Sequence, residues 1–156
     1  MSSKVSVINR QDRVAVDRRK IGAAARRILD RLGYKGYELT VVLVDDREIT
    51  RLNRQYFRRD RPTNVISFPM MDGTPVSVRA RMLGDVVISA ETAKRDAEEV
   101  GKKGEDEILF LLIHGILHLT GYDHEGTKKE RMEMEAKEKD LFSRLASPPR
   151  RRSLIL

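Results

Sequence analysis

The chain has 156 residues, a length that a single domain fills, and 40% of them are hydrophobic, which is enough for one core. The absence of cysteine excludes disulfides, thiolate metal ligands and cysteine nucleophiles. The net charge is +7, with 21 arginines and 10 lysines, and such a surface attracts polyanions such as nucleic acid. A basic surface that binds nothing specific is an equal alternative.

The N-terminal stretch gives no sign of export or membrane insertion. Its sequence, MSSKVSVINRQDRVAV, lacks the apolar core of a signal peptide. The longest apolar run, ILFLLI at 108–113, is far too short to cross a bilayer. We therefore expect a soluble cytoplasmic protein that has no membrane partner.

The first part of the chain has the pattern of short strands alternating with helices. Apolar and β-branched runs predict strands at 5–8, 38–46, 64–70 and 83–89. Helical spacing of apolar residues predicts a first helix over 14–32, which Gly33 ends. Asp45 and Glu48 resemble a capping box and predict a second helix that ends near Tyr56.

The second part is predicted to be helical. Ser89 should cap a helix over about 90–100, and the next helix, over about 105–119, is apolar on nearly every side, so it should be buried. Thr127 and Glu130 have the spacing of a capping box that opens an amphipathic helix. The inner stripe of that helix is expected to contain Met132, Leu141, Phe142 and Leu145.

Together these elements predict a fold of the α+β class, in which a small mixed sheet packs with helices around a buried central helix. We expect a single domain over residues 1–146. The remaining residues, 147–156, are rich in proline and arginine and are predicted to form a flexible basic tail.

The stretch HGILHLTGYDH, residues 114–124, contains every histidine of the chain. His114 and His118 are four residues apart, so a helix places both imidazoles on one face, one turn apart. Gly121 suits the left-handed turn that ends the helix, and the returning chain can bring His124 to the other two. Three imidazoles suit one zinc ion and leave a coordination position open, as in catalytic sites. Nickel, which also favours imidazole, fits the same ligands.

Two neighbours of the histidines leave alternatives open. The HxxxHxxGxxH spacing resembles that of metzincin proteases, in which a glutamate follows the first histidine and acts as general base. Here that position is Gly115, so a zinc peptidase would need another base. Asp123 is predicted either to orient a ligand ring or contact the bound water, or simply to brace the turn.

The motif is similar to the HGxLHLxGYDH signature of the bacterial YbeY family of endoribonucleases. Three further stretches agree with that family in order and spacing: LNRQY at 52–56, DRPTNVISFP at 60–69 and LGDVVIS at 83–89. The resemblance covers roughly residues 39–140. It implies a metzincin-like α+β fold with one zinc ion, held by His114, His118 and His124.

The resemblance also implies a function, that of a zinc-dependent, single-strand-specific endoribonuclease acting in 16S ribosomal RNA 3′-end maturation and ribosome quality control. Its partners would be the 16S ribosomal RNA precursor and the ribosome or ribosomal proteins. The alternatives are a zinc metallopeptidase and a non-catalytic ribosome- or RNA-binding protein with a structural metal, for which Asp123 is the nearest fourth ligand. The sequence leaves open the oligomeric state and the choice between direct water attack and attack by the ribose 2′-hydroxyl.

One position departs from the family pattern. The family places an arginine that serves the RNA site after the tyrosine of LNRQY, and this chain has Phe57 there. Arg58 and Arg59 follow it and are the candidates for that RNA-binding charge. Ordinary exposed loop charges are an equal alternative for these two arginines.

Overall fold

The computed structural model describes residues 3–70 and 81–146. These residues form four strands and five helices, which in chain order are β1 Lys4–Asn9, α1 Arg18–Arg31, β2 Glu38–Val44, α2 Asp46–Phe57, β3 Val65–Pro69, β4 Met82–Ser89, α3 Ala90–Glu99, α4 Gly104–Leu119 and α5 Lys128–Leu145. The predicted tail, 147–156, lies outside the described residues, and a single domain over 1–146 stays a prediction.

The four strands form one mixed sheet in the order β1-β2-β4-β3. β1, β2 and β4 run parallel, whereas β3 pairs antiparallel with β4 and is an edge strand. In the β3–β4 register, Ser67 lies opposite Val86 and Phe68 lies opposite Asp85. Because side chains alternate between the two faces of a strand, Ser67 and Phe68 point to opposite faces of the sheet.

Helices cover both faces of the sheet, and the two faces differ in size. The larger core lies on the face covered by α1, α4 and α5, and β2 contributes Val41 and Leu43 to it. On the other face α2 packs on a small cluster that includes Val42 and Val44. Burial on both faces explains why residues 41–44 of β2 form an uninterrupted apolar run. The α+β prediction, with a small mixed sheet and a buried central helix, is confirmed.

The helix ends agree with most of the predicted caps. Ser89 accepts a hydrogen bond from the Thr92 amide, and Thr127 and Glu130 form both halves of a capping box. Asp45 accepts from the Glu48 amide, but the Glu48 carboxylate binds Arg51 rather than returning to the cap. The second capping box is therefore complete, and the first is only half formed.

Two predicted boundaries were wrong, because aspartates begin helices there. Helix α1 begins at Arg18 rather than at residue 14, since the Asp17 side chain accepts the Arg19 and Lys20 amides as an N-cap. Strand β2 ends at Val44 rather than at residue 46, since Asp45 is already the N-cap of α2.

One predicted core position was also wrong. Met132 is 58% exposed, whereas Met134, two residues along α5, is fully buried in the larger core with Leu141 and Leu145. Residues 134, 138, 141 and 145 follow the three- and four-residue spacing of a helix face, and position 132 does not share that face.

None of the helices in the described part of the chain is long and apolar enough to cross a membrane.

Candidate metal centre

Helix α4 carries two of the three histidines on its last two turns. The apolar residues before and between them, Leu111, Leu112, Ile113, Ile116 and Leu117, are buried and hold the helix against the sheet and its neighbours. This packing fixes the direction in which His114 and His118 project. Their Nε2 atoms lie 3.2 Å apart, as expected for residues one turn apart on the same face.

A turn after α4 brings the third histidine to the first two. Gly121 has a φ of 100°, which L side chains rarely adopt, and this conformation lets the chain fold back. The Tyr122 amide donates to the carbonyl of Leu117 and closes the helix end. His124 then lies with its Nδ1 atom 2.7 Å from the Nε2 atom of His118.

The three imidazoles lie close enough together to be ligands of one metal ion. One ligand atom from each histidine lies within 4.8 Å of the others. Two zinc–nitrogen bonds of about 2.0–2.1 Å at a tetrahedral angle place their nitrogens about 3.3–3.4 Å apart, close to the separation of the His114 and His118 atoms. In the described part of the chain the cluster has these three members, so a fourth coordination position is available.

The electrostatic surroundings favour the neutral form of the middle histidine. Burial, followed by the charges that His114 and His124 carry when protonated, lowers the pKa of His118 from its usual 6.5. Asp123 and Glu138 raise the pKa, but their contributions are smaller. A metal ion requires the neutral imidazole, so a lowered pKa keeps His118 available as a ligand at lower pH.

Glu138 is a functional candidate that the sequence reasoning missed. Its carboxylate Oε1 lies 3.2 Å from the Nδ1 atom of His114, and the residue is only 7% exposed. A carboxylate at this position favours a proton on Nδ1 and leaves the Nε2 lone pair facing the other imidazoles. The sequence holds one signal for it, because Glu138 lies on the buried stripe of α5, between Met134 and Leu141, where an apolar residue is expected.

The described contact of Asp123 is with the turn. Its Oδ1 atom accepts a hydrogen bond of 2.8 Å from the amide of Glu125. No hydrogen bond joins Asp123 to a histidine ring among the described residues, and the ring contact of this type is made by Glu138. The geometry thus favours the turn-bracing alternative for Asp123.

The structure also explains why glycine follows the first histidine. A Cβ atom at Gly115 would lie 2.7 Å from Cγ1 of Val86 in β4, a distance that requires the neighbouring residues to shift. Ser67 of β3 donates a 2.9 Å hydrogen bond to the carbonyl of Gly115. This position therefore faces the sheet at close range, and a glutamate here would not fit without a rearrangement.

Arg58 and Arg59 lie at the other candidate region, the C-terminal end of α2. Arg58 ends the helix in the left-handed conformation, with a φ of 55°, and both arginines are exposed. Neither guanidinium forms a hydrogen bond or ion pair with another described residue, and neither residue belongs to the histidine cluster. Their predicted role in binding RNA stays a prediction.

Comparison with protein families gives a match to one family over most of the chain. The family model described as Endoribonuclease YbeY matches residues 6–146. A relative from Geobacter metallireducens named Endoribonuclease YbeY is 50% identical over 141 residues, which are 90% of this chain and 94% of the relative. A relative of the same name from Syntrophotalea carbinolica is 46% identical over 90% of this chain and 95% of its own length.

A solved structure has a similar fold. The solution structure of the protein TM1509 from Thermotoga maritima has a TM-score of 0.61 to this chain at 28% sequence identity, and the match covers 90% of this chain and 88% of that protein. The family match and the relatives at up to 50% identity extend over the sheet, the histidine motif and α5. The chain belongs to the Endoribonuclease YbeY family.

Proposed function

We propose that this chain is a zinc-dependent endoribonuclease that cuts single-stranded RNA at the centre formed by His114, His118 and His124. One observation carries the proposal: the three imidazoles meet within 4.8 Å at the end of a buried helix, in a chain of an endoribonuclease family. Zinc is the metal that best suits three histidine ligands with an open position.

The residues of the centre have separate roles in this proposal. The three histidines hold the metal, and Glu138 orients the ring of His114 through Nδ1. A bound zinc ion supplies Lewis-acid chemistry, since it lowers the pKa of a coordinated water to about 7 and polarises a phosphoryl oxygen. Arg58 and Arg59 have charges that are unpaired among the described residues. We propose that they bind phosphates of the RNA at a distance from the metal centre.

The biological role is proposed from the family resemblance. Its members are expected to act on the 16S ribosomal RNA precursor in 3′-end maturation and in ribosome quality control, with the ribosome or its proteins as partners in the cytoplasm. The excess of basic residues, +7 over the chain, agrees with a polyanionic substrate.

The peptidase alternative is less favoured by the packing of α4. A protease of the metzincin type needs a glutamate beside the first histidine, and the approach of Val86 to Gly115 leaves no room for one. A purely structural metal is less favoured for another reason. It would require a fourth protein ligand, and Asp123, the nearest candidate in sequence, hydrogen-bonds the turn instead.

The test is a cleavage assay on single-stranded ribosomal RNA with protein that contains one measured equivalent of zinc. Wild type is compared with His118→Ala after both are shown to be folded. We expect wild type to cut the RNA and the folded variant to lose the activity. Equal activity in both proteins would indicate a contaminating nuclease and would contradict the proposal.

A second substrate separates the two possible mechanisms. An RNA with a single 2′-deoxy sugar at the cut position cannot attack its own phosphodiester. If that RNA resists cleavage and the natural RNA yields a 2′,3′-cyclic phosphate, the ribose hydroxyl is the nucleophile. Cleavage of both substrates would assign the attack to water.

A further inference from the structure

We propose that Tyr56 and Phe57, supported by Phe68, form a stacking platform for bases of the single-stranded RNA, with Arg58 and Arg59 on the adjoining phosphates. The inference rests on the proposed function, because it concerns how the same substrate is held. It adds a binding site on the face of the sheet opposite the histidines.

The platform consists of two exposed rings on a third ring that is partly buried. Tyr56 is 56% exposed and Phe57 is 50% exposed, both at the last turn of α2. The Tyr56 ring lies 5.0 Å from that of Phe68, edge to face, and the Phe57 ring lies 6.5 Å from it. Phe68 packs against the small apolar cluster under α2, so the two exposed rings rest on a fixed base.

The loop that follows the rings is tied to the end of α2. The buried side chain of Asn53 donates a 2.9 Å hydrogen bond to the carbonyl of Arg61, and the amide of Arg59 donates to the carbonyl of Asn53. These bonds, with the left-handed Arg58, place the arginines directly beside the rings. Ordered rings and charges bind with a smaller loss of conformational entropy than mobile ones.

The charges around the rings indicate a polyanion rather than an apolar protein segment. The guanidinium groups of Arg58, Arg59 and Arg61 are unpaired among the described residues, whereas Asp60 is neutralised by Arg54 at 2.7 Å. Aromatic side chains combined with arginines are the usual means of binding single-stranded nucleic acid, in which bases stack on the rings and phosphates contact the charges.

The strand β3 connects the platform to the metal centre. Ser67 touches the carbonyl of Gly115, next to His114, while the adjacent Phe68 supports the platform on the opposite face. Because β3 is the edge strand, an RNA strand that passes around this edge reaches both sites. The stacked bases then belong to nucleotides that flank the cut, so the platform should strengthen binding more than it accelerates cleavage.

The experiment measures the affinity of the full chain for a fluorescent single-stranded RNA by anisotropy, without zinc so that the RNA is not cut, and a gel after each reading shows that the RNA is intact. We expect Phe57→Ala and Tyr56→Ala each to weaken binding about five- to a hundred-fold, the range for loss of one base–aromatic stack. Phe57→Tyr keeps a ring and should bind within about two-fold of wild type. Met132→Ala, which removes an exposed apolar side chain from α5, is the matched control and should have no effect.

The salt dependence distinguishes stacking from charge. Arg58→Gln or Arg59→Gln should reduce the slope of log affinity against log salt by about one, while Phe57→Ala should leave that slope unchanged. A series of RNAs, each lacking the base at one position, tests the same point. At one position the missing base should lower the affinity of wild type, but it should not lower the affinity of Phe57→Ala any further. If Phe57→Ala or Tyr56→Ala, which each remove a ring, bound all these RNAs like wild type, the platform would be overturned.

The outcomes separate this inference from the proposed function. If wild type cleaves RNA and both Tyr56→Ala and Phe57→Ala bind it normally, the platform is wrong and the nuclease proposal stands. If Tyr56→Ala and Phe57→Ala lose affinity but wild type never cleaves, the platform stands and the nuclease proposal fails. If wild type neither binds nor cleaves single-stranded RNA, both are wrong. An equal loss of affinity in Phe57→Tyr and Phe57→Ala would also overturn stacking.

Discussion

On one face of the sheet α4 and its histidines are anchored in the larger core, whereas on the other face α2 covers a small cluster and presents aromatic and arginine side chains to solvent. Eighteen buried residues form the larger core and five form the smaller one, among the described residues. The face with more burial therefore carries the groups whose relative positions must be held most closely.

The difference reflects what each chemistry requires. A metal site needs ligand atoms placed within a few tenths of an ångström, which buried packing and a ring contact such as that of Glu138 provide. Binding a flexible polyanion needs exposed rings and charges, which a fixed loop at the end of a helix provides. Substitutions on the first face should therefore change metal affinity and stability, and those on the second should change RNA affinity.

The face of the sheet that α4 covers is called here the histidine face. The largest expected effect on this face is that of His118→Ala. This change removes the imidazole whose Nε2 atom is within 3.2 Å of ligand atoms of both other histidines. Loss of a residue that hydrogen-bonds a ligand lowers metal affinity about 10- to 100-fold. Loss of the ligand itself should have a larger effect, so we expect zinc affinity to fall more than about a hundred-fold. Competition with a chelator of known affinity measures it. A folded variant that retains wild-type affinity would show that the cluster is not the metal site.

The next effect should come from Glu138, which touches a ligand but is not one. Glu138→Ala removes the acceptor at Nδ1 of His114, so we expect zinc affinity to fall about 10- to 100-fold, with cleavage falling in parallel. Glu138→Gln keeps an oxygen acceptor and should recover part of the loss. Glu135→Gln, on the exposed side of the same helix, is the control and should match wild type. Equal affinities for all three variants would remove Glu138 from the centre.

A third change tests the close contact between α4 and the sheet. Gly115→Ala places a Cβ atom 2.7 Å from Val86, and overpacking of this kind costs about 1–3 kcal/mol, offset by up to about 1 kcal/mol of helix propensity. We expect a net loss in urea unfolding. Gly104→Ala is the matched control, since no atom lies within 4 Å of its added Cβ, and it should be neutral or slightly stabilising.

A glutamate at the same position extends this test to the peptidase alternative. Gly115→Glu should destabilise the protein more than Gly115→Ala does, and it should not create peptidase activity, because the side chain is directed at Val86 and Ser67. If the folded variant gained zinc-dependent peptide cleavage, helix α4 would have to rotate or shift. That result would support the peptidase alternative.

Much of the histidine face could be predicted from local pattern. The four-residue spacing of His114 and His118, and a glycine where the chain must turn, are properties of consecutive residues. Glu138 was missed because its role depends on a contact between helices that are 24 residues apart in sequence. Met132 was wrongly assigned to the core for a related reason. In a helix with many charged residues, the sequence does not show which of two nearby positions faces the core.

The other face was less accessible to sequence reasoning. Arg58 and Arg59 were found as charges, but the sequence gives no sign that Tyr56 and Phe57 remain exposed, since aromatic residues are usually placed in the core. Their exposure follows from the end of α2 and from the position of Phe68, which fills the space beneath them. Such arrangements depend on the pairing of distant elements, which local pattern does not specify.

The smallest effect concerns the pH dependence of the metal-free protein. Burial, followed by the charges of His114 and His124, lowers the pKa of His118 below its unfolded value of about 6.5. The unfolded chain then binds this proton more readily, so the free energy of unfolding should decrease as the pH falls through 6.5 and level off below the folded pKa. One proton limits the slope to about 1.4 kcal/mol per pH unit.

Urea unfolding of wild type and His118→Gln across pH 5–8, without metal, measures this contribution as the difference between two curves. The difference in the free energy of unfolding should change most steeply with pH just below pH 6.5. Above pH 7.5 it should be constant, since His118 is neutral in both the folded and the unfolded state at that pH. Zinc at a concentration that saturates wild type but leaves the weaker-binding variant metal-free should make wild type alone lose stability more steeply with acid, because protons then compete with the metal for the same nitrogen atoms. Parallel curves for the two metal-free proteins would show that His118 is not held in the neutral form by its surroundings.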